Sequence, residues 1–239
     1  MDLDIEESVD VSCPIALLQR LDADFGSDFI ITMAPVASAM TPNGPGLSGF
    51  SYFELDSQAT SSTRPNGKLV SWYNAQFYNG WGDARTQVYY DNIITTGKWS
   101  PGRVVLGVLD DPNDGGSGFV DIKTLQSVIQ QLRANFADFG CAVGWEYWDA
   151  GGADGYSEPW QWVKAVGQSI YGAQNVPANL TSQPLPYPPA PFQQSTDLLV
   201  TLGASYQEAV WALNVTNGVL AAAEQLLGLG NLTGALGIS

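Results

Sequence analysis

The sequence predicts an α/β protein, a parallel sheet with covering helices, followed by a small all-helical module. Three observations carry this. Five short apolar runs, each bounded by Gly, Pro, Asn or Asp, recur before about Tyr171. Amphipathic stripes of helical period lie between them. Then Pro177, Pro184, Pro186, Pro188, Pro189 and Pro191 crowd one segment, which favours extended geometry and forbids helix.

The elements follow in chain order. Leu3–Ile5 is the first strand, and Ile15, Leu17, Leu18, Leu21 and Phe25 stripe the first helix. Strands at Phe29–Ala34, Trp72–Tyr78 and Val104–Leu109 come next. Leu125, Val128, Ile129, Leu132 and Phe136 stripe a second clear helix, and Ala142–Tyr147 is the last strand. Strands alternating with helices imply βα units, whose chemistry sits at the carboxyl ends of the strands. The expected organisation is a barrel-like domain at 1–174, a Pro-rich linker at 175–194 and a helical module at 195–239. In the module, helices are expected from Ser195 or Thr196 to Gly203, over Tyr206–Val215 and over Val219–Leu227, with Asn217-Gly218 as a break.

Composition excludes several functions. The chain has 239 residues, 24 acidic against 9 basic, a net charge of −15. With so little Lys and Arg to cluster, neither a nucleic-acid groove nor an anionic membrane is an expected partner. There is no histidine, which removes every histidine-based triad and metal site. Acid–base work falls to carboxylates or tyrosines. Cys13 and Cys141 are too few for a thiolate zinc site and read as buried small hydrophobes.

Asp2, Asp4 and Glu6 recur at i, i+2, i+4 with Leu3 and Ile5 between them. On a strand, such alternation lines three carboxyl groups along one face. They cannot all ionise comfortably, so at least one should be raised, as a general acid at neutral pH requires. Carboxylate pairs are how most glycosidases work. A solvated acidic edge and a metal-binding carboxylate cluster are the other readings of the same pattern.

The segment DLDIEE is similar to the tail of the D-x-x-D-x-D-x-E signature of glycoside hydrolase family 18. DFIITMAPVASAM, WYNAQFYNGWGD, RVVLGVLDDP and GCAVGWEYWDA then follow in the order of that family's barrel strands 5 to 8. Over residues 1–171 the chain resembles this family, and most of all its fungal endo-β-N-acetylglucosaminidases, through LSGFSY, WYNAQFYNGWG and GWEYWDAGG. The resemblance implies a partial TIM (β/α)8 barrel, strands 4 to 8, followed by the small three-helix bundle. The first Asp of the signature and strands 1–3 would precede Met1. The chain is therefore expected to be part of a longer enzyme with impaired activity alone, or a remnant that binds sugar or ubiquitin without catalysis.

The resemblance also implies roles. Glu6 would be the general acid/base, Asp4 would orient the substrate's acetamido group, and Asp2 would be its electrostatic partner deeper in the barrel. Tyr78 would hydrogen-bond the acetamido oxygen, and Trp145 would form the aromatic floor under the sugar. Gln76 and Asn79 would touch sugar, with Met33 as pocket wall. The implied reaction is hydrolysis of the chitobiose core of N-glycans, or of chitin, by a substrate-assisted retaining mechanism that needs no metal or cofactor.

The segment STDLLVTLGASYQEAVWALNVTNGVLAAAEQLL resembles a ubiquitin-associated domain. That implies contact with ubiquitin through Leu202, Gly203, Ala204, Leu226 and Leu227. Asn179, Asn214 and Asn231 begin N-x-Thr sequons. Secretion is expected if a leader precedes the chain, and a cytoplasmic location otherwise.

Overall fold

The computed structural model describes residues 1–64 and 66–171, and in the C-terminal part 195, 198–200, 202–204, 209, 212, 213, 216 and 219–229. The Pro-rich linker, the three sequons and most of the helix expected at Tyr206–Val215 lie outside the described residues. By packing, the chain divides into two units, Met1–Val176 and Pro177–Ser239.

The first unit alternates strand and helix throughout. Its elements are β1 (Asp2–Leu3), α1 (Ser12–Phe25), β2 (Thr32–Met33), α2 (Tyr52–Gln58) and β3 (Trp72–Gln76). Then come α3 (Val88–Gly97), β4 (Val104–Leu109), α4 (Ile122–Asn135), β5 (Ala142–Trp145) and α5 (Pro159–Tyr171). The five strands form one sheet in the order β1-β2-β3-β4-β5, with every neighbouring pair parallel. Sequential order distinguishes an arc of a (β/α) barrel from a doubly wound sheet, whose order reverses.

Four strands are shorter than the apolar runs predict; only β4 has its expected bounds. The β1–β2 ladder runs through Thr32 N to Met1 O and Ala34 N to Leu3 O, and goes no further. Pro35 ends β2, because it has no N–H and offers β3 only its carbonyl, which takes the Gln76 amide at 2.8 Å. Asp4, Ile5 and Glu6 lie beyond β1, which ends at Leu3, rather than on it.

The helices bury one face each. In α1 the buried stripe is Ile15, Leu18 and Leu21, narrower than predicted; Leu17 and Phe25 are exposed. Phe25 stacks on Phe29 at 4.6 Å between ring centres instead of entering the core. In α4, Leu125, Val128, Ile129 and Leu132 are buried as the period requires, with Phe136 partly buried beyond the helix end. Asp121 caps α4, its carboxylate accepting the amides of Lys123 and Thr124. Cys13 is exposed, against expectation, since it starts α1 on the outer side; Cys141 is partly buried.

The amino ends of β3 and β4 are fastened by an ion cluster. Arg103 donates to both carboxylate oxygens of Asp56, at 3.3 and 2.6 Å, and to the carbonyl of Val70 at 2.9 Å. Lys68 pairs with Asp56 at 3.0 Å, and the Tyr73 hydroxyl donates to it at 2.8 Å. Burial alone would raise the Asp56 carboxyl, but Arg103, Lys68 and Tyr73 hold it below the usual aspartate range. This end of a barrel governs stability rather than chemistry.

In the second unit, Leu199, Ala204, Ala209, Ala212, Leu213 and Ala223 form a small core, with α6 (Leu220–Leu226) as the last helix among its described residues. Ala204 is inside that core, so it is not available as a contact for a partner, while Gly203 and Leu226 are exposed and Leu202 and Leu227 half-buried.

Replacing Asp56 by Ala should destabilise the fold by about 3 kcal/mol or more, because Arg103, only 17% exposed, loses its partner. Urea unfolding checks this. A depressed carboxyl stabilises above its unfolded value of 3.8 and loses that contribution as pH falls through its folded value, so the gap between wild type and variant should narrow in acid.

Candidate functional site

Register decides what faces the inside of the arc. Asp2 pairs with Thr32 and Thr32 with Trp72, and Gln76 pairs with Gly107, Gly107 with Val143 and Leu109 with Trp145. Alternation then places Asp2, Thr32, Asn74, Gln76, Val143 and Trp145 on one face. Leu3 and Met33 pair on the opposite face. Met33 is 0% exposed, within the apolar core, so it is not pocket wall. The reason is parity: it is one residue out of step with Thr32, which faces the acids.

The carboxyl end of this face gathers the predicted acids. Thr32 Oγ1 donates to Asp2 at 2.6 Å. Gln76 Nε2 reaches Asp4 at 3.2 Å, Glu6 at 3.3 Å and the carbonyl of Ala34 at 2.9 Å. One buried amide thus ties Asp4 and Glu6 to the middle of the sheet, although both lie beyond β1. Partial burial, then Glu6 and Asp2, push the Asp4 carboxyl up to about 6 against the opposing hydrogen bond from Gln76. Burial and the charges of Asp4, Glu6, Asp2 and Asp110 push the Tyr78 phenol well above its ordinary range, so it remains a hydrogen-bond donor at any working pH.

Asp2, Asp4, Asn74, Gln76, Tyr78 and Trp145 line a cleft of about 90 Å³. Trp145 is 51% exposed there, an aromatic face open to a ligand. A larger groove of about 570 Å³ is lined by segments 9–11 and 39–54 and contains none of the acids that Gln76 gathers. We place the site at the smaller cleft, because that is where the polar groups converge.

Asn79 has a different place from the one expected. Its side-chain oxygen accepts the amides of Gly116 and Ser117 at 2.8 and 3.3 Å, and its own amide donates to Ser117 O at 2.9 Å. It clasps the loop after β4 and does not line the cleft. Gly118 is required for this clasp. Its φ is +97°, and a Cβ there would come 2.8 Å from the Tyr78 Cα.

Sequence reasoning missed Asp110, the residue after β4. It is buried, its amide donates to Trp145 O at 3.1 Å, and burial with Asp114 and Asp149 pushes its carboxyl up to about 7. The available signal was position, a carboxylate at the end of a predicted barrel strand.

The fold has counterparts among solved structures. The chain is similar to a fungal endo-β-N-acetylglucosaminidase from glycosyl hydrolase family 18, at 35% identity over 72% of this chain and 57% of that one, with a TM-score of 0.62. It is similar to a chitinase from Aspergillus fumigatus at 41% identity, over 71% of this chain and 57% of that one, TM-score 0.57. A family 18 chitinase from Pseudoalteromonas aurantia matches at 26% identity, over 70% of this chain and 60% of that one, TM-score 0.52. The chain thus spans less than two thirds of the length of each. No family model matches the chain, and no curated protein matches it. The partial barrel is therefore an architecture shared with family 18 glycosidases.

Gln76→Leu should raise the Asp4 value above about 6, since the hydrogen bond that lowers it is lost. Carboxyl carbon NMR across a pH titration reads this directly. The raised value also means that the folded chain keeps a proton that an unfolded aspartate releases near 3.8, so Asp4 favours folding less as pH climbs from there to about 6.

Proposed function

We propose that the chain carries part of the barrel of a family 18 glycoside hydrolase, acting on N-acetylglucosaminyl bonds. The observation that carries the proposal is the tie from Gln76 to both Asp4 and Glu6, beside Tyr78 and Trp145, in a fold shared with family 18 enzymes. Each group has a part in a substrate-assisted reaction. The sugar stacks on Trp145. Asp4 and the un-ionised Tyr78 hold the acetamido group so that its carbonyl oxygen reaches the anomeric carbon. Glu6 protonates the leaving oxygen as the glycosidic bond breaks and an oxazolinium forms. Glu6 then takes a proton from the water that opens it, with retention. Asp2, held by Thr32, supports Asp4 from below.

The substrate we favour is the chitobiose core of N-glycans, in line with the 35% identity to an endo-β-N-acetylglucosaminidase. Chitin is the second reading, favoured by the 41% identity to the Aspergillus fumigatus chitinase. The two readings share every residue of the cleft.

The test incubates the chain with a high-mannose glycoprotein and, separately, with N-acetylglucosamine oligomers, and follows sugar binding by tryptophan fluorescence alongside product release. Sugar binding with at most weak release from the glycoprotein, any release being abolished by Glu6→Gln while binding is retained, is the expected result. Cleavage of the oligomers alone would transfer the assignment to chitin. Absence of both cleavage and binding would overturn the proposal.

A further inference from the structure

The loop after β4 carries a second group of acids that the glycosidase reading does not use. We propose that Asp110, Asp114 and Asp149 form a Ca²⁺ site that fastens this loop to the end of β5. One carboxylate oxygen from each of the three lies within 4.8 Å of the other two. Two donors on opposite sides of Ca²⁺ are separated by about 4.6–5.2 Å, so the three oxygens lie within the span of one ion's ligand shell.

A second observation points to a ligand. Asp110 is only 1% exposed, and its Oδ1 is buried with no hydrogen-bond partner. A buried carboxylate oxygen without a donor is costly, and such groups are paired or coordinate a cation. No lysine or arginine among the described residues forms an ion pair with Asp110, Asp114 or Asp149. Asp110 has little freedom to turn away. A Cβ at Gly144 would come 2.0 Å from Asp110 Oδ2, so the carboxylate is pressed against the backbone of β5. With oxygen donors only, a hard cation fits, and carboxylates on an irregular loop suit the flexible coordination of Ca²⁺ better than the strict octahedron of Mg²⁺.

The position gives the ion a task. On one side, the loop grips Asn79 through Gly116 and Ser117 and packs Gly118 on Tyr78. On the other, the Asp110 amide bonds Trp145 O, and the Glu146 amide bonds Asp114 Oδ2 at 3.2 Å. An ion held by Asp110, Asp114 and Asp149 would fix the spacing between Tyr78 and Trp145, whatever those residues bind.

The experiment uses the whole chain, stripped of metal by a chelator. Tb³⁺ is titrated while tryptophan is excited, and Ca²⁺ is then added as competitor. The expected result is saturable Tb³⁺ emission, displaced by Ca²⁺, with a higher melting temperature in Ca²⁺ than in chelator. Asp114→Asn and Asp149→Asn, which leave the buried Asp110 in place, should each weaken Tb³⁺ binding roughly tenfold or more. Emission that does not saturate, or is the same in both variants, would reduce the effect to adsorption on an acidic surface and overturn the proposal. Equal melting temperatures in Ca²⁺ and chelator, with no Tb³⁺ emission, would mean that these carboxyls share protons instead, and would also overturn it.

Discussion

Negative charge gathered without basic partners at the carboxyl end of the sheet is the constraint on which the rest of the structure turns. Among the described residues, no ion pair involves Asp2, Asp4, Glu6, Asp110, Asp114 or Asp149. The acids are accommodated by uncharged donors. Thr32 serves Asp2, and one glutamine amide serves Asp4 and Glu6 together. Burial first, and then the repulsion that neutral donors do not cancel, raise proton affinity at Asp4 and Asp110.

The opposite end of the sheet solves the same problem the other way. Asp56 is surrounded by Arg103, Lys68 and Tyr73, and its carboxyl is held down rather than pushed up. Fully compensated charge fixes the amino ends of β3 and β4, and incompletely compensated charge is left where a ligand can meet it. That division between a stabilising end and a reactive end follows from parallel strands, whose carboxyl ends all open on one side. Backbone contacts then join the reactive end together: Gln76 N to Pro35 O, Asn79 N to Ser117 O, and Asp110 N to Trp145 O. Each joins neighbouring strands at or just beyond their carboxyl ends.

Much of this was legible in the sequence. Five apolar runs and two helical stripes gave the parallel sheet, because period 2 and period 3.6 patterns reflect which side of an element meets the core. The alternation of Asp2, Asp4 and Glu6 marked the reactive end, and Gln76, Tyr78 and Trp145 were found beside it by resemblance. The errors have physical causes. Met33 was assigned to the pocket although strand parity sends it to the core. Asn79 was read as a sugar contact although its amide is engaged by a loop nearly 40 residues later in the chain. Leu17 and Phe25 were counted as core because a stripe shows an apolar face, not how wide a face the neighbouring elements cover.

What the sequence determined by itself was the set of groups: carboxylates without histidine, aromatics at strand ends, and the order of the five strands with two of their helices. These depend on residue type and local period, which a linear chain displays. Only the tertiary structure decided which groups work together. Gln76 is 70 residues from Glu6, and its amide joins Asp4 and Glu6 because parallel register brings β3 to the level where β1 ends. Asp110, Asp114 and Asp149 become one cluster only where β4 and β5 end side by side. Distances between side chains so far apart in sequence are set by ladder register and loop closure, and no local pattern of residues encodes them.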